Sequence, residues 1–295
     1  MKQDDYKRGL TMGLTCYLLW GLLPIYWKSI EAVNSFEILA NRIIWSLLFM
    51  IGVLLVSHKW GAFVQECRAI RADRKKLATV ILAGCVITFN WGLFIWAVGH
   101  GRIVETSMGY YMNPLVNVLL GVVFLGERLT NWTKVSVALA AIGVCFMLAK
   151  VGVFPWISIC LALSFGLYGY IKKTLVVTTT TSILLETLVV VPLALAYVGS
   201  LSLEQAAAWQ TAPTRSIALL IGAGAATAIP LLLFTGAAKK LPLSMLGFLQ
   251  YLSPTLTLLI GIFLYQESFT WGHLLSFGWI WLGLLVFTCD QFRSA

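Results

Sequence analysis

Residues 109–132, GYYMNPLVNVLLGVVFLGERLTNW, align without a gap on residues 249–272, LQYLSPTLTLLIGIFLYQESFTWG, and this self-match decides the fold. Tyr111 falls on Tyr251, Pro114 on Pro254, Gly121 on Gly261, Glu127 on Glu267 and Thr130 on Thr270, an offset of about 140 residues. The same offset carries Gly84 onto Gly224, Phe94 onto Phe234, Ala97 onto Ala237 and Gly143 onto Gly283. The chain is therefore a tandem duplication. In an apolar chain, duplication points to transport, because secondary transporters are commonly two repeats that rock about a site between them.

Composition sets the solvent. Of 295 residues, 59% are hydrophobic and 11% charged, more apolar surface than a soluble core uses. Crossing about 30 Å of hydrocarbon takes roughly 20 residues per helix, so this length holds about ten helices with short loops. A transmembrane barrel needs alternating segments of about ten residues, whereas these runs are continuously apolar. The expectation is an all-α polytopic membrane protein with spans near 9–27, 36–56, 77–98, 103–125, 133–150, 153–171, 180–199, 215–238, 243–265 and 271–289. Five spans precede the duplication point, so the second copy enters from the opposite side. Residues 1–150 and 151–295 then form two inverted five-helix repeats.

Charge agrees with that count. With both termini cytoplasmic, Lys2, Lys7, Arg8, Lys59, Arg68, Arg71, Arg74, Lys75, Lys76, Arg128, Lys134, Lys172, Lys173, Lys239, Lys240 and Arg293 lie inside, against Lys28, Arg102, Lys150 and Arg215 outside, with Arg42 within or near a span. The formal net charge of +9 is thus read as topology and lipid headgroup contact, not as a nucleic-acid surface. Segment 57–76 mixes Trp60, Phe63 and Ile70 with Arg68, Arg71 and Arg74, the pattern of a short interfacial helix. The six cysteines lack CxxC spacing and read as free thiols. No Walker A run, HExxH helix or GxSxG elbow occurs, so the chain is read as neither ATPase nor enzyme, and no cofactor or metal is called for.

Polar residues inside spans are expensive in lipid and mark the candidate pathway. Glu37, Asn41 and Trp45 share a helix face beside Arg42, either as a polar wall with Arg42 meeting an anionic group or as an interfacial Arg with a surface partner. Asn90 beside Trp91, and Asn113 and Asn117 below Tyr110 and Tyr111, form a second polar and aromatic set, open to substrate contact or to plain helix association. Glu186 is a carboxylate deep in the seventh span, a carrier for a cation or coupling proton, or a neutral carboxyl bonded to Thr187 or Tyr168. Gln250 and Tyr251 are the counterparts of Tyr110 and Tyr111 and supply the opposite wall. Trp20 and Pro24 suit a hinge or gate, with aromatic-belt packing equally natural for Trp20, and the paired Pro114 and Pro254 break their helices near a midplane site. Glu127 and Glu267 sit at membrane boundaries and read as loop caps.

The runs EILANRIIWS from Glu37, NWGLFIWAV from Asn90, GYYMNPLVN from Gly109, FLGERL from Phe124, LLETL from Leu184 and GFLQYLSPTL from Gly247 resemble the RarD-type branch of the EamA family, within the drug/metabolite transporter superfamily. The resemblance covers nearly the whole chain. It implies two EamA repeats, a multi-pass protein of the bacterial inner membrane, and export or exchange of small metabolites or drugs, with a proton or counter-substrate as partner. A passive facilitator or channel of the same fold, and more remotely an intramembrane enzyme, are the competing functions. Substrate, direction, coupling ion and oligomeric state do not carry over. One departure is visible: the family run commonly places His before the Arg where this chain has Asn41, which removes a titratable imidazole there.

Overall fold

The computed structural model describes residues 3–125, 131–151, 154–174, 177–238, 240 and 249–294. Helices occupy the apolar stretches: α1 (Gln3–Lys28), α2 (Ser35–Val56), α3 (Trp60–Ala72), α4 (Arg74–Gly99), α5 (Ile103–Leu125), α6 (Asn131–Val151), α7 (Trp156–Thr174), α8 (Thr179–Leu203), α9 (Ala208–Thr211), α10 (Thr214–Ala238), α11 (Leu252–Leu259), which runs into a π turn at Ile260–Leu264, and α12 (Trp271–Ser294). No strand occurs among the described residues. Among the described residues, six helices are long and apolar enough to cross a membrane, and Lys134–Phe146, Trp156–Ile171 and Leu252–Leu264 are shorter apolar helices. The cap residues are local choices of the sequence. Asn34 accepts from the Phe36 N–H at 2.9 Å to start α2, and Asp73 accepts from the N–H groups of Lys75 and Lys76 to start α4.

The distribution of side chains is that of a protein in lipid. Leu48, Phe89, Leu193, Phe263 and Leu285 face outward, whereas Glu37, Asn41, Arg42, Asn90, Asn113 and Glu186 are buried. Large exposed apolar faces are costly in water, and unpaired polar groups are costly in hydrocarbon, so this arrangement suits a bilayer. α3 lies apart from these spans, as expected for segment 57–76. It is held by Ile70 packed on Val80 and by the Glu66 carboxylate, which accepts from the Thr178 N–H and hydroxyl where α8 begins.

α2 packs between α8 and α10, α4 rests on α7 and α8, α1 on α10 and α11, α5 on α7 and α11, and α6 pairs with α12. Glycine sets the closest crossings. A Cβ on Gly84 would lie 2.9 Å from the Glu186 carbonyl oxygen, and one on Gly224 would overlap the Trp45 carbonyl and come within 2.7 Å of the Ser46 nitrogen. Small residues at such crossings let helix backbones approach, which is how helices associate without a hydrophobic driving force between them.

Glu267 caps in trans. Its carboxylate accepts from the N–H groups of Ile103 and Val104 at 2.8 and 2.9 Å, satisfying two orphan donors at the buried start of α5. Glu127, its repeat counterpart, lies outside the described residues. We expect Glu267→Ala to cost about 2 kcal/mol by leaving those donors unmet, lowering the melting midpoint in detergent by roughly 4–8 °C. An unchanged midpoint would mean that water replaces the carboxylate there.

Candidate functional site

A cavity of about 370 Å³ lies between the helices, lined from both halves of the sequence by α1, α2, α4, α5, α7, α8, α10 and the segment around α11. Among the expected pathway residues, it brings together Trp20, Arg42, Asn90, Trp91, Tyr110, Asn113, Gln250 and Pro254. Four of these fall in repeat-equivalent pairs on the wall: Trp91 with Leu231, Tyr110 with Gln250, and Asn113 with Ser253.

Arg42 dominates the cavity electrostatically. The residue is 4% exposed, its Nε donates to the Thr227 hydroxyl at 2.7 Å, and its guanidinium stacks over Trp91 at 4.2 Å and Trp27 at 5.1 Å. Two indole faces and one hydroxyl orient the group without neutralising it, because a guanidinium keeps its proton in proteins. Thr227 is itself held, donating to the Ala223 carbonyl at 2.9 Å, so its lone pairs face Arg42. Sequence reading missed Thr227, since a threonine bonded back to its own helix carries no functional signature.

Asn90 is committed to the protein. Its amide nitrogen donates to the Leu161 carbonyl at 3.0 Å and to Ser164 Oγ at 2.8 Å, while its oxygen accepts from the Tyr110 hydroxyl at 3.2 Å. Asn90 therefore ties α4 to α7 and aims Tyr110, whose ring packs on Phe94 and Phe165. Asn113 is the opposite case. It is fully buried on the cavity wall, and neither its amide oxygen nor its nitrogen has a hydrogen-bond partner.

Glu186 stands one layer behind the wall. Its carboxylate accepts from Tyr168 at 2.8 Å and Ser182 at 2.6 Å. It borders a separate void of about 10 Å³, no more than one water in size, which shares Ile87, Trp91, Ile183 and Leu231 with the main cavity. Tyr168 lines the main cavity and bridges the two.

Glu37, Asn41, Tyr111 and Tyr251 lie off the cavity wall. Glu37 is buried at the start of α2, where its carboxylate accepts from the Ala208 N–H at 2.6 Å and anchors α9, and Asn41 donates to the Glu37 carbonyl at 3.0 Å. Tyr111 and Tyr251 stack on each other at 6.4 Å with an 18° tilt, and the Tyr111 hydroxyl bonds Thr255 at 2.5 Å, within the cluster that joins α5 and α11 to α12. Trp20 packs on Tyr17 and Phe234 at the cavity edge, and Pro24 lies inside α1. The second copy's helix is interrupted at Tyr251, and Pro254 sits in the first turn of α11, where a missing N–H costs little; its carbonyl accepts from Ser107 at 2.6 Å. α5 includes positions 114 and 117, but the side chains of Pro114 and Asn117 lie outside the described residues. Tyr17 and Phe165 of the aromatic wall were also missed from sequence, Tyr168 was anticipated only as a hydrogen-bond neighbour of Glu186, and the Phe94 and Phe234 pair left a trace in the self-alignment.

The EamA-like transporter family model matches residues 7–149. The chain is 42% identical over 293 residues to the uncharacterized transporter YojE of Bacillus subtilis, covering 99% of this chain and 97% of that protein. It is 40% identical to protein RarD of Salmonella typhi, covering 98% and 97%. A solved crystal structure shares the fold over 99% of both chains, with a TM-score of 0.59 at 17% identity. Polar groups turned inward to a cavity, apolar faces turned outward and near full-length similarity to RarD and YojE converge: the chain belongs to the RarD-type branch of the EamA-like transporter family and is a multi-pass membrane transporter.

Proposed function

We propose that the protein is a secondary transporter in which two inverted five-helix repeats, residues 1–150 and 151–295, alternately open the central cavity to the two sides of the membrane and export or exchange small metabolites or drugs. The observation that carries this reading is a cavity lined from both halves of the chain, with a buried cation on its wall. The packing supports it. Under the repeat offset, the contact of α1 with α10 exchanges with that of α7 with α4, α1 with α11 exchanges with α7 with α5, and α2 with α10 exchanges with α8 with α4. The glycine crossings exchange too: Gly84 on Glu186 with Gly224 on Ser46, and Gly143 on Ser276 with Gly283 on Ser136. Such a pseudo-two-fold lets one repeat adopt the other's conformation, and the exchange of conformations is alternating access.

The deciding experiment is uptake into proteoliposomes of purified protein, with a panel of metabolites and drugs that includes chloramphenicol, screened first by ligand-induced thermal stabilisation. Accumulation against a gradient distinguishes coupled transport from a passive facilitator. Equilibration without accumulation, under a proton gradient and with counter-substrate alike, would sink the coupled mechanism.

Orientation is a separate expectation. Both termini face the cytoplasm, so a periplasmic reporter fused at residue 295 stays silent and one placed in the 200–214 segment is active. The reverse pattern would break the inverted topology.

Glu186 is the proposed proton carrier, because its carboxylate is buried, held by two hydroxyl donors and one side chain removed from the cavity. Glu186→Gln keeps the size and removes the carboxyl, so uptake should lose its pH dependence while the fold persists. A pH profile identical to that of the unmodified protein would reduce Glu186 to a structural hydrogen-bond acceptor.

A further inference from the structure

We infer that the central cavity binds a singly charged organic anion, a carboxylate on a flat apolar body, with the Arg42 guanidinium as its counter-charge and the Asn113 amide as a second hydrogen-bond donor. The inference deepens the transport reading by naming the class of substrate, and it rests on that reading only for the step of movement.

Three observations meet here. First, Arg42 is a buried cation without a counter-ion: the ion pairs among the described residues are Lys28 with Glu31, Lys76 with Asp73, Arg102 with Glu105 and Lys240 with Asp5. A single hydroxyl occupies Nε, and the terminal nitrogens make no hydrogen bond with any described residue. A buried charge normally has a partner, and a guanidinium presents the fork that a carboxylate fills with two parallel bonds. Second, Asn113 is fully buried on the same wall with both amide atoms unsatisfied. Buried polar groups without partners are rare in native structures, and one turned to a cavity is a group whose partner arrives with the ligand. Third, the rest of the wall sets the body and the charge of the ligand. Trp91, Phe94, Phe165 and Phe234 are aromatic surfaces, and among the described lining residues Arg42 is the single charged side chain. One positive charge balances one negative charge, so a carboxylate suits the site where a phosphate monoester would bring a second charge into an apolar chamber. The volume of about 370 Å³ falls in the range of small-molecule pockets and accommodates a one- or two-ring acid.

The test uses the purified full chain in nanodiscs, titrated calorimetrically with benzoate and indole-3-acetate, their neutral amides benzamide and indole-3-acetamide, the cation benzylamine, and phenyl phosphate. The expected result is that an acid binds at least about tenfold tighter than its amide, with no saturable binding of the amine and weaker binding of the phosphate. Arg42→Gln should erase the preference of acid over amide. Asn113→Leu should raise the melting midpoint, because it removes two unsatisfied buried groups, yet weaken acid binding about tenfold with Arg42 intact. A merely structural asparagine would not move those two readouts in opposite directions. Equal binding of acid and amide, tighter binding of the amine, failure of both acids to bind, or an acid preference that survives Arg42→Gln would each overturn the inference. The acid and amide comparison on the unmodified chain decides even if a variant does not fold. Flux separates the two readings: an acid that binds but never crosses in proteoliposomes defeats transport and leaves the binding site standing. A neutral drug that crosses while neither acid binds does the reverse.

Discussion

Arg42→Gln is expected to lower uptake of a transported substrate at least about thirtyfold while leaving the melting midpoint within about 3 °C. Truncating one partner of a buried charge-assisted contact costs about 2–5 kcal/mol, and about 2 kcal/mol already amounts to thirtyfold. Stability behaves differently because the guanidinium has no protein carboxylate to lose. Its removal forfeits one hydrogen bond to Thr227 and two indole contacts, but it also removes the cost of holding an unpaired cation in a 4% exposed position. Opposing effects of similar size leave a small net change. A residue placed for folding would show the converse, a lower midpoint with transport rates preserved in the surviving protein. Uptake and thermal unfolding measured on the same preparation check this, and full uptake by the variant would place the charge off the path.

Gly224→Ala is the largest expected effect on stability. The added Cβ meets the Trp45 carbonyl carbon and oxygen and comes within 2.7 Å of the Ser46 nitrogen, all backbone atoms of α2 that no rotamer change can move. The helices must separate. Separation also breaks the bond from Ser46 Oγ to the Gly224 carbonyl at 3.4 Å and loosens the seat of Arg42, four residues before Ser46. Overpacking of this kind costs about 1–3 kcal/mol or more, so we expect the midpoint to fall by roughly 5–10 °C, with loss of transport. Gly52→Ala provides the control, since Gly52 is exposed on α2, the helix Gly224 packs against, with nothing within 4 Å of the new methyl. There a helix-interior Ala should be neutral or stabilising by about 0.5–1 kcal/mol. If both alanines are equally tolerated, the close crossing of α10 on α2 is not what holds the repeats together.

Several features were legible in the chain because they are one-dimensional. A bilayer sets the length of an apolar run directly, so the helices at residues 9–27, 36–56 and 77–98 were readable as α1, α2 and α4 before any packing was known. The amphipathic run that became α3 was readable for the same reason, since its mixture of Trp60 and Ile70 with Arg68 and Arg71 is local. Duplication, too, is a property of the string, and two of its glycine pairs, Gly84 with Gly224 and Gly143 with Gly283, proved to sit at helix crossings where an added Cβ would come within 2.9 Å of a neighbouring backbone.

What the cavity contains was decided only by tertiary structure. Tyr110 and Tyr111 are neighbours in sequence, but successive side chains on a helix point about 100° apart, and so Tyr110 faces the cavity while Tyr111 stacks on Tyr251 beside α12. Asn90 and Asn113 have the same amide, yet α7 supplies Asn90 with a carbonyl and a hydroxyl, whereas no described residue hydrogen-bonds the Asn113 amide. Glu37 and Arg42 lie five positions apart on one helix and share no partner. The first caps α9 through Ala208 and the second bonds Thr227 on α10, contacts that span 171 and 185 residues of chain. Apolar run length is selected residue by residue against the lipid and is written locally. The partner of a buried polar group is chosen by whichever distant helix packs opposite it, and that choice exists only once the helices have met.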